Sequence, residues 1–575
     1  MSRHTCAAIH RVAALAACLA LLGAADRPPA ARVHRDSPLT SEPETQDARG
    51  ARPVPHGRLY EVARDLTVTR TSTPTGTRAL NVNSIDDVPD SSWFTNQARD
   101  VPESDEVLRP ATCMTCPGAA EDAAPTQDAS LQVVAIDAST APRLTARDAD
   151  GAMWDVVFDP VSHPETVTGT TVVVATLLRQ VGYHHARWSI VRLRPHGLQP
   201  AAGATITTRT GRVVPLRPSD IAALLRGAAP HDDGTYRAAV ARRPPGVRLG
   251  AFRFRATRPD DPNDVIPHEH RRELRALRVV GAWLNLTRLG PRMTQDVLQP
   301  RADGRHVIRH YLEGAGMGLG VADGRPHGAR EGIEYLYDPG PMLQRLWTFG
   351  LRRPDWHARE APIERGIGRV PADGFDPRAW RPLVPNQAFV EMRSDDASWA
   401  ARRIVGFTDA RLREVVALAR YSSEATSRRL VDLLASRRDA IGRAWLTADA
   451  AVTRPALALD GTLTYADASV EAGLVERTPS RRIRWGLFDN ETGTTTRRGA
   501  AVADGGGVAL PEATSLPVGS HLWVGMHDVN DPAAGDGSVD ANGEEEPAVT
   551  LVFRRGDERW TLVSLERRGP HRVEP

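Results

Sequence analysis

The hydrophobic period switches several times along this chain, and those switches limit the architectures open to it. From about residue 130, LQVVAIDA, LTARDADG and MWDVVFDP alternate as short strands, with an Asp-Gly turn between the last two. HPETVTGTTVVVATLLRQVG then takes the helical period and is closed by Gly182. RWSIVRLRP reads as a strand, PSDIAALLRG as a short helix capped by Ser219 or Asp220, and 237–256 as further strands. PHEHRRELRALRVVGAWLN is the strongest helix, with Pro267 in its first turn and Leu274, Leu277, Val280 and Leu284 on one face. Residues 387–448 are helical in pattern. After about 449 only short strands between turn signals remain, which predicts a small all-β sandwich.

The expected fold is therefore α+β: a two-lobed core over 130–448 followed by a sandwich-like domain over 449–575. Strands with one helix, then a helical half, is also the order of a protein-kinase-like fold. Residues 1–25 read as a signal peptide and 26–57, rich in Pro, Arg, Ser and Asp, as a disordered linker. Residues 58–129 read as an N-terminal extension carrying a CxxC loop. The 575 residues suffice for such a multidomain plan.

Composition excludes several chemistries. The 73 basic side chains are all arginine, for no lysine occurs. A P-loop, a Schiff base on a lysine and the ordinary kinase lysine are thereby ruled out. Formal net charge is +2, and removing the first 25 residues takes away Arg3 and Arg11 and no acid, leaving the remainder neutral. No basic stripe with interleaved aromatics stands out, so nucleic acid is not an expected partner.

The N-terminus has a basic start, the apolar run VAALAACLALLGAA and a small-residue end near Ala25, which predicts export to the periplasm or beyond. Leu15-Ala16-Ala17-Cys18 reads as an alternative lipobox, with a lipid anchor on Cys18. No other apolar run is long enough for a transmembrane segment. Outside the signal the cysteines are Cys113 and Cys116, expected to form a local disulfide in an oxidising compartment.

Several long stretches carry a resemblance: NVNSIDDVPDSSWFTN, FDP..HPETVTG, TRPDDPNDVIPHEHRRELRALRVVGAWLN, IRHYL, EYLYDPGP, NQAFVEMRSDDASWAARRIV and SRRDAIGRAWL. Over about 81–448 the chain resembles a family of exported bacterial proteins of unknown function with a protein-kinase-like core. Relatives of this kind read LKFDP where this chain reads VVFDP, so the phosphate-pairing lysine falls on Val157. Their glutamate after TGA falls on Thr171. Their catalytic-loop WLNHDDxxxxNT becomes WLNLTRLGPRMT, which puts Thr287 at the catalytic acid and Met293 at the metal-binding asparagine. Their YLIDFG becomes YLEGAG, with Gly314 at the metal-binding aspartate. Phosphoryl transfer rests on positioning and on Mg²⁺ held by hard oxygen ligands, and valine, methionine and glycine side chains offer none.

The resemblance thus implies a pseudoenzyme: a kinase-like scaffold without catalytic residues, cofactor or metal, binding an envelope protein or a small ligand. The alternative is an active atypical phosphotransferase that uses ATP with Mg²⁺ through the substitute acids Glu313 or Asp296. A third reading gives recognition to the C-terminal β-domain. The densest part of the resemblance, Asp264 with His268, Glu269, His270, Arg271, Arg272 and Glu273, is a candidate binding cluster. HEHRRE is not HExxH, so zinc-protease chemistry is not expected there. The acidic loop 527–546 lacks the glycine and the terminal glutamate of an EF-hand.

Mass spectrometry of the protein's own N-terminus checks the export reading. A start near residue 26 or a lipidated Cys18 is expected; an intact Met1 throughout rules it out.

Overall fold

The computed structural model describes residues 33–54, 58–96, 124–137, 142–208, 210–349, 363, 365–371, 374–446, 451–529 and 547–567. The signal segment, Cys18, Cys113, Cys116 and the acidic loop from 530 to 546 lie outside the described residues. The fold mixes helices with several sheets.

After a first helix, α1 (Arg58–Thr67), seven strands form one sheet. They are β1 (Leu131–Asp137), β2 (Arg143–Arg147), β3 (Met153–Phe158), β4 (Trp188–Leu193), β5 (Leu198–Thr207), β6 (Val213–Pro215) and β7 (Tyr236–Arg242), in the order β4-β7-β3-β2-β1-β5-β6. Only the β1–β5 pair is parallel. The β2–β3 turn is the Asp-Gly turn expected: Asp148 accepts the Ala152 N–H at 2.8 Å and the Trp154 indole N–H at 2.7 Å, and Gly151 takes φ +84°.

Helix α2 (Thr166–Val181) leaves β3 through the FDP turn. Asp159 accepts the backbone N–H groups of Val167 and Thr168 at 2.8 and 2.9 Å and the Thr168 hydroxyl at 2.6 Å, so it satisfies the orphan donors of the first turn. Gly182 ends the helix at φ +125°, where a Cβ would lie 2.3 Å from the Phe94 ring. That closeness is why glycine stands there. A short helix, α3 (Pro218–Arg226), follows β6.

β8 (Val247–Gly250), β9 (Thr294–Pro300) and β10 (His306–Leu312) form an antiparallel three-stranded sheet around α4 (Arg272–Leu284) in sequence. A two-residue hairpin, β11 (Val321–Ala322) and β12 (Arg325–Pro326), leads to α5 (Pro339–Trp347), α6 (Ser394–Val405), α7 (Asp409–Ala417) and α8 (Glu424–Trp445). The predicted apolar face of α4 packs as expected, yet the helix is not amphipathic: Arg272, Glu273 and Arg275 are buried too. Among the described residues no helix is long and apolar enough to cross a membrane.

The last eight strands are β13 (Val452–Leu457), β14 (Thr462–Asp467), β15 (Arg481–Phe488), β16 (Thr495–Ala503), β17 (Gly507–Ala509), β18 (His521–Asp528), β19 (Val549–Arg555) and β20 (Trp560–Arg567). They pair antiparallel as β13-β14-β17 and β16-β15-β18-β19-β20. Both sheets feed one apolar cluster that includes Leu463, Ile483, Leu522, Val524, Leu551 and Phe553.

The N-terminal residues depart from the sequence reading. Residues 33–54 are ordered rather than disordered. Ala48 and Ala51 pack with Leu249, Leu298 and Ile308; Val54 donates to the Leu249 carbonyl at 2.9 Å; Ser41 bridges Asp90. Small alanines and backbone hydrogen bonds hold this strap, so it needs few of the aliphatics whose scarcity suggested disorder. Residues 78–96 likewise run through the interior, where Trp93 and Phe94 join the largest core cluster.

Asp86 sits where strap, helices and C-terminal strands meet. It is 3% exposed and receives Arg272 at 2.6 Å, Arg567 at 2.6 Å, Arg78 at 3.3 Å and Arg402 at 3.4 Å. Burial pushes its carboxyl up; Arg272, Arg567 and Arg402 together more than reverse this and hold it below the ordinary carboxylate range. Arg567 belongs to β20, and Ile85 packs on the β-sheet cluster, so this carboxylate fastens the C-terminal sheets to the rest. Removing one partner of a buried pair leaves uncompensated charge. Asp86→Ala is therefore expected to cost about 3–5 kcal/mol in urea unfolding; a loss below about 1 kcal/mol would contradict the burial of this cluster.

Candidate functional site

A cleft of about 400 Å³ opens between β1–β3, α2, residues 185–188, the Arg243-Pro244 segment and the turn Glu313–Met317 that follows β10. Strand pleat decides what β3 offers it. Trp154, Val156 and Phe158 pack into the apolar cluster on one face, and Asp155 and Val157, on the other, line the cleft.

Val157, Thr171 and Gly314 all line this cleft. Thr171 donates its hydroxyl to the Val167 carbonyl of its own helix at 2.7 Å. Gly314 is left-handed at φ +71°, where a Cβ would lie 2.8 Å from the Met317 methyl and 3.1 Å from the Met293 Cγ. A Cβ on Gly316 would lie 2.7 Å from the Thr171 hydroxyl, so the turn closes directly on α2. Met293 is buried beneath, and the Met293 carbonyl accepts the Glu313 N–H at 2.7 Å. Thr287 does not line the cleft: it is buried and donates to Glu331 at 2.9 Å.

The two substitute acids separate. Glu313 lines the cleft and accepts Arg248 at 2.7 Å. Asp296 does not: it is fully buried on β9, held by Arg258 at 3.0 Å and by the Nδ1 of His310, its cross-strand neighbour, at 2.7 Å. Its oxygens face this pair rather than the cleft, which corrects the expectation for Asp296.

The candidate binding cluster also lies elsewhere. Asp264 holds His268 at 2.7 Å; Arg271 pairs with Glu42 at 3.0 Å and Glu273 at 3.4 Å; Arg272 pairs with Asp86, Asp395 and Asp396. Glu269 accepts the Ala256 N–H, and the His270 ring meets Arg275 at 2.7 Å. His268, Arg271, Arg272 and Glu273 are at most 2% exposed. These buried side chains are engaged with partners inside the chain and act as an internal brace, while Glu269 and His270 stay half-buried.

Sequence reasoning missed the cleft's ion pairs. Asp137 takes Arg143 at 2.6 Å, Asp155 takes Arg243 at 2.6 and 2.9 Å, and Asp323 takes Arg288. Arg292 reaches the cleft exposed and, among the described residues, makes no hydrogen bond or ion pair. The RRPPG sequence at the end of β7 was the available signal for Arg243. Among the described residues no group of three or more His, Cys, Asp and Glu is placed to hold a metal ion. Of the lining arginines, Arg143, Arg243 and Arg248 are paired with acids and Arg292 alone is left to meet an anion, above an apolar floor of Val157, Ala315 and Met317.

No protein-family model and no curated protein matches the chain. Two solved structures align loosely with it. A Helicobacter pylori proinflammatory kinase, CtkA, aligns with a TM-score of 0.28 at 8% identity, over 56% of this chain and 98% of its own. A Golgi casein kinase aligns with a TM-score of 0.27 at 8% identity, over 72% of this chain and 98% of its own. Superpositions this loose do not establish a shared fold.

Two histidines beside the cleft are held neutral. Burial, aided by the Arg309 charge, lowers His184 to about 3. Burial lowers His185, which lines the cleft, to about 4. Below pH 6.5 the unfolded chain takes up protons that the folded chain refuses, so stability falls as pH drops from about 6.5 toward 4, by about 1.4 kcal/mol per histidine per pH unit. His185→Gln is expected to reduce this slope by up to about 1.4 kcal/mol per pH unit in urea melts; an unchanged slope would mean that His185 is not held neutral.

Proposed function

We propose that this chain is an exported, kinase-like binding protein whose cleft has lost phosphoryl-transfer chemistry. The supporting order is a sheet with one helix leaving its third strand, that helix packed on the turn after β10, and a helical half beyond. Val157, Thr171 and Gly314 line the cleft at positions where the resemblance expects a lysine, a glutamate and an aspartate. The observation that carries the reading is charge pairing. Asp137, Asp155, Glu313 and Asp323 each meet an arginine, so a metal ion would have to displace a guanidinium to reach any of them. The cleft then suits a small anion or an acidic peptide segment held by Arg292 and its neighbours, without a divalent ion. Action at the cell envelope follows from the N-terminal segment and is part of the proposal.

Glu313 favours a second reading, because it lines the cleft next to Gly314 and is 38% exposed at its side chain. In that reading it releases Arg248 and binds Mg²⁺ in an atypical phosphotransferase.

Thermal unfolding with ATP and Mg²⁺ or Mn²⁺ tests both. A ligand at 100 times its Kd adds about 2.7 kcal/mol to the folded state. The proposal expects no shift and no transfer of labelled phosphate. A shift accompanied by transfer that disappears in Glu313→Gln overturns it in favour of the second reading.

A further inference from the structure

The segment 333–349 leaves an unusual amount of apolar surface in water. Ile333, Leu336, Tyr337, Met342 and Leu343 are exposed; Leu346 is 71%, Trp347 81% and Phe349 93% exposed. No residue of α5 is buried. A helix of nine residues is marginal without packing, because nucleation is costly and few hydrogen bonds follow. Met342 with Leu346, and Leu343 with Trp347, stand at i and i+4 and form two neighbouring apolar rows on one side of the helix. Such rows are the ridges by which helices pack on helices.

We infer that this face is covered by the same face of a second copy of the chain, in a two-fold dimer built on α5. Area supports it. Trp347 and Phe349 alone leave roughly 250–450 Å² in water, and the exposed parts of Met342, Leu343 and Leu346 on the helix bring the total toward the roughly 800 Å² that each partner gives to a standard interface. Monomers rarely keep a patch above about 300–600 Å².

Charge supports it too. The acids beside the patch are already compensated: Glu334 pairs with Arg345, and Asp338 with Arg70 at 2.7 Å. Docking the apolar face therefore buries no lone charge. The same pairing disfavours an anionic lipid surface, which needs free cations on the helix, whereas the one arginine of α5 is engaged with Glu334. A formal net charge of +2 sets up little repulsion between copies. A two-fold axis brings identical rows together, so one patch serves both partners.

Sedimentation equilibrium of the full chain from 1 to 50 µM tests the inference. A mass of twice the monomer is expected, falling to the monomer in Leu346→Glu/Trp347→Glu with an unchanged far-ultraviolet dichroism spectrum. Hydrogen exchange on the wild-type chain supplies a second readout free of any variant. Amides 342–349 should gain at least tenfold protection between dilute and concentrated protein. A monomer at 50 µM, a dimer that survives the double substitution, or exchange independent of concentration would each overturn the inference. So would wild-type protein that stays monomeric and floats with phosphatidylglycerol vesicles, since the occupant would then be a membrane.

Discussion

The structure depends on carboxylates buried among arginines. Asp86 gathers Arg272 from α4, Arg402 from α6, Arg567 from β20 and Arg78 from the N-terminal region. A buried charge is costly unless paired, and the multiplicity of partners settles the balance in favour of the ionised state. Arginine suits this task better than lysine would. Its fork reaches two acceptors at once and it stays charged when buried, as Arg272 does in bridging Asp86, Asp395 and Asp396. A composition without lysine thus becomes a structural device; Arg237 likewise ties Asp159 and Thr168 to the carbonyl of Arg420, although there burial still pushes the Asp159 carboxyl up.

That device also shapes the cleft. Guanidinium groups occupy the acids that could otherwise hold a divalent cation. Val157 and Met317, which also line the cleft, bring neither charge nor a hard ligand, and the Thr171 hydroxyl is donated to the Val167 carbonyl. The turn after β10 presses on α2, with Gly314 left-handed between Met293 and Met317.

What the sequence made legible was local. The Asp-Gly turn, the closure of α2 at Gly182, the apolar face of α4 and the run of strands after 449 all rest on neighbours within a few residues. The rest was set by partners far apart. Asp155 meets Arg243 across 88 residues and Glu313 meets Arg248 across 65. The cluster over 264–273 stood out because the family resemblance is densest there; several of its charges find their partners Glu42, Asp86 and Asp396 in distant segments. The strap over 33–54 was hidden for the same reason, since alanines and backbone groups leave no periodic signature. Asp296 looked available until its cross-strand partner His310 was in place.

The N-terminal strap has a consequence for how the chain matures. His34 is held by Asn490, 456 residues later, and Asp86 by Arg567, 481 residues later. Synthesis delivers the strap first and its anchors last. The strap's packing on Leu249, Leu298 and Ile308 can form once mid-chain has been made, but the His34–Asn490 and Asp86–Arg567 contacts require loop closure over most of the chain. Nascent protein therefore passes through a stage in which the strap can rest on mid-chain residues while the contacts that tie the N-terminal region to the last sheets are still missing.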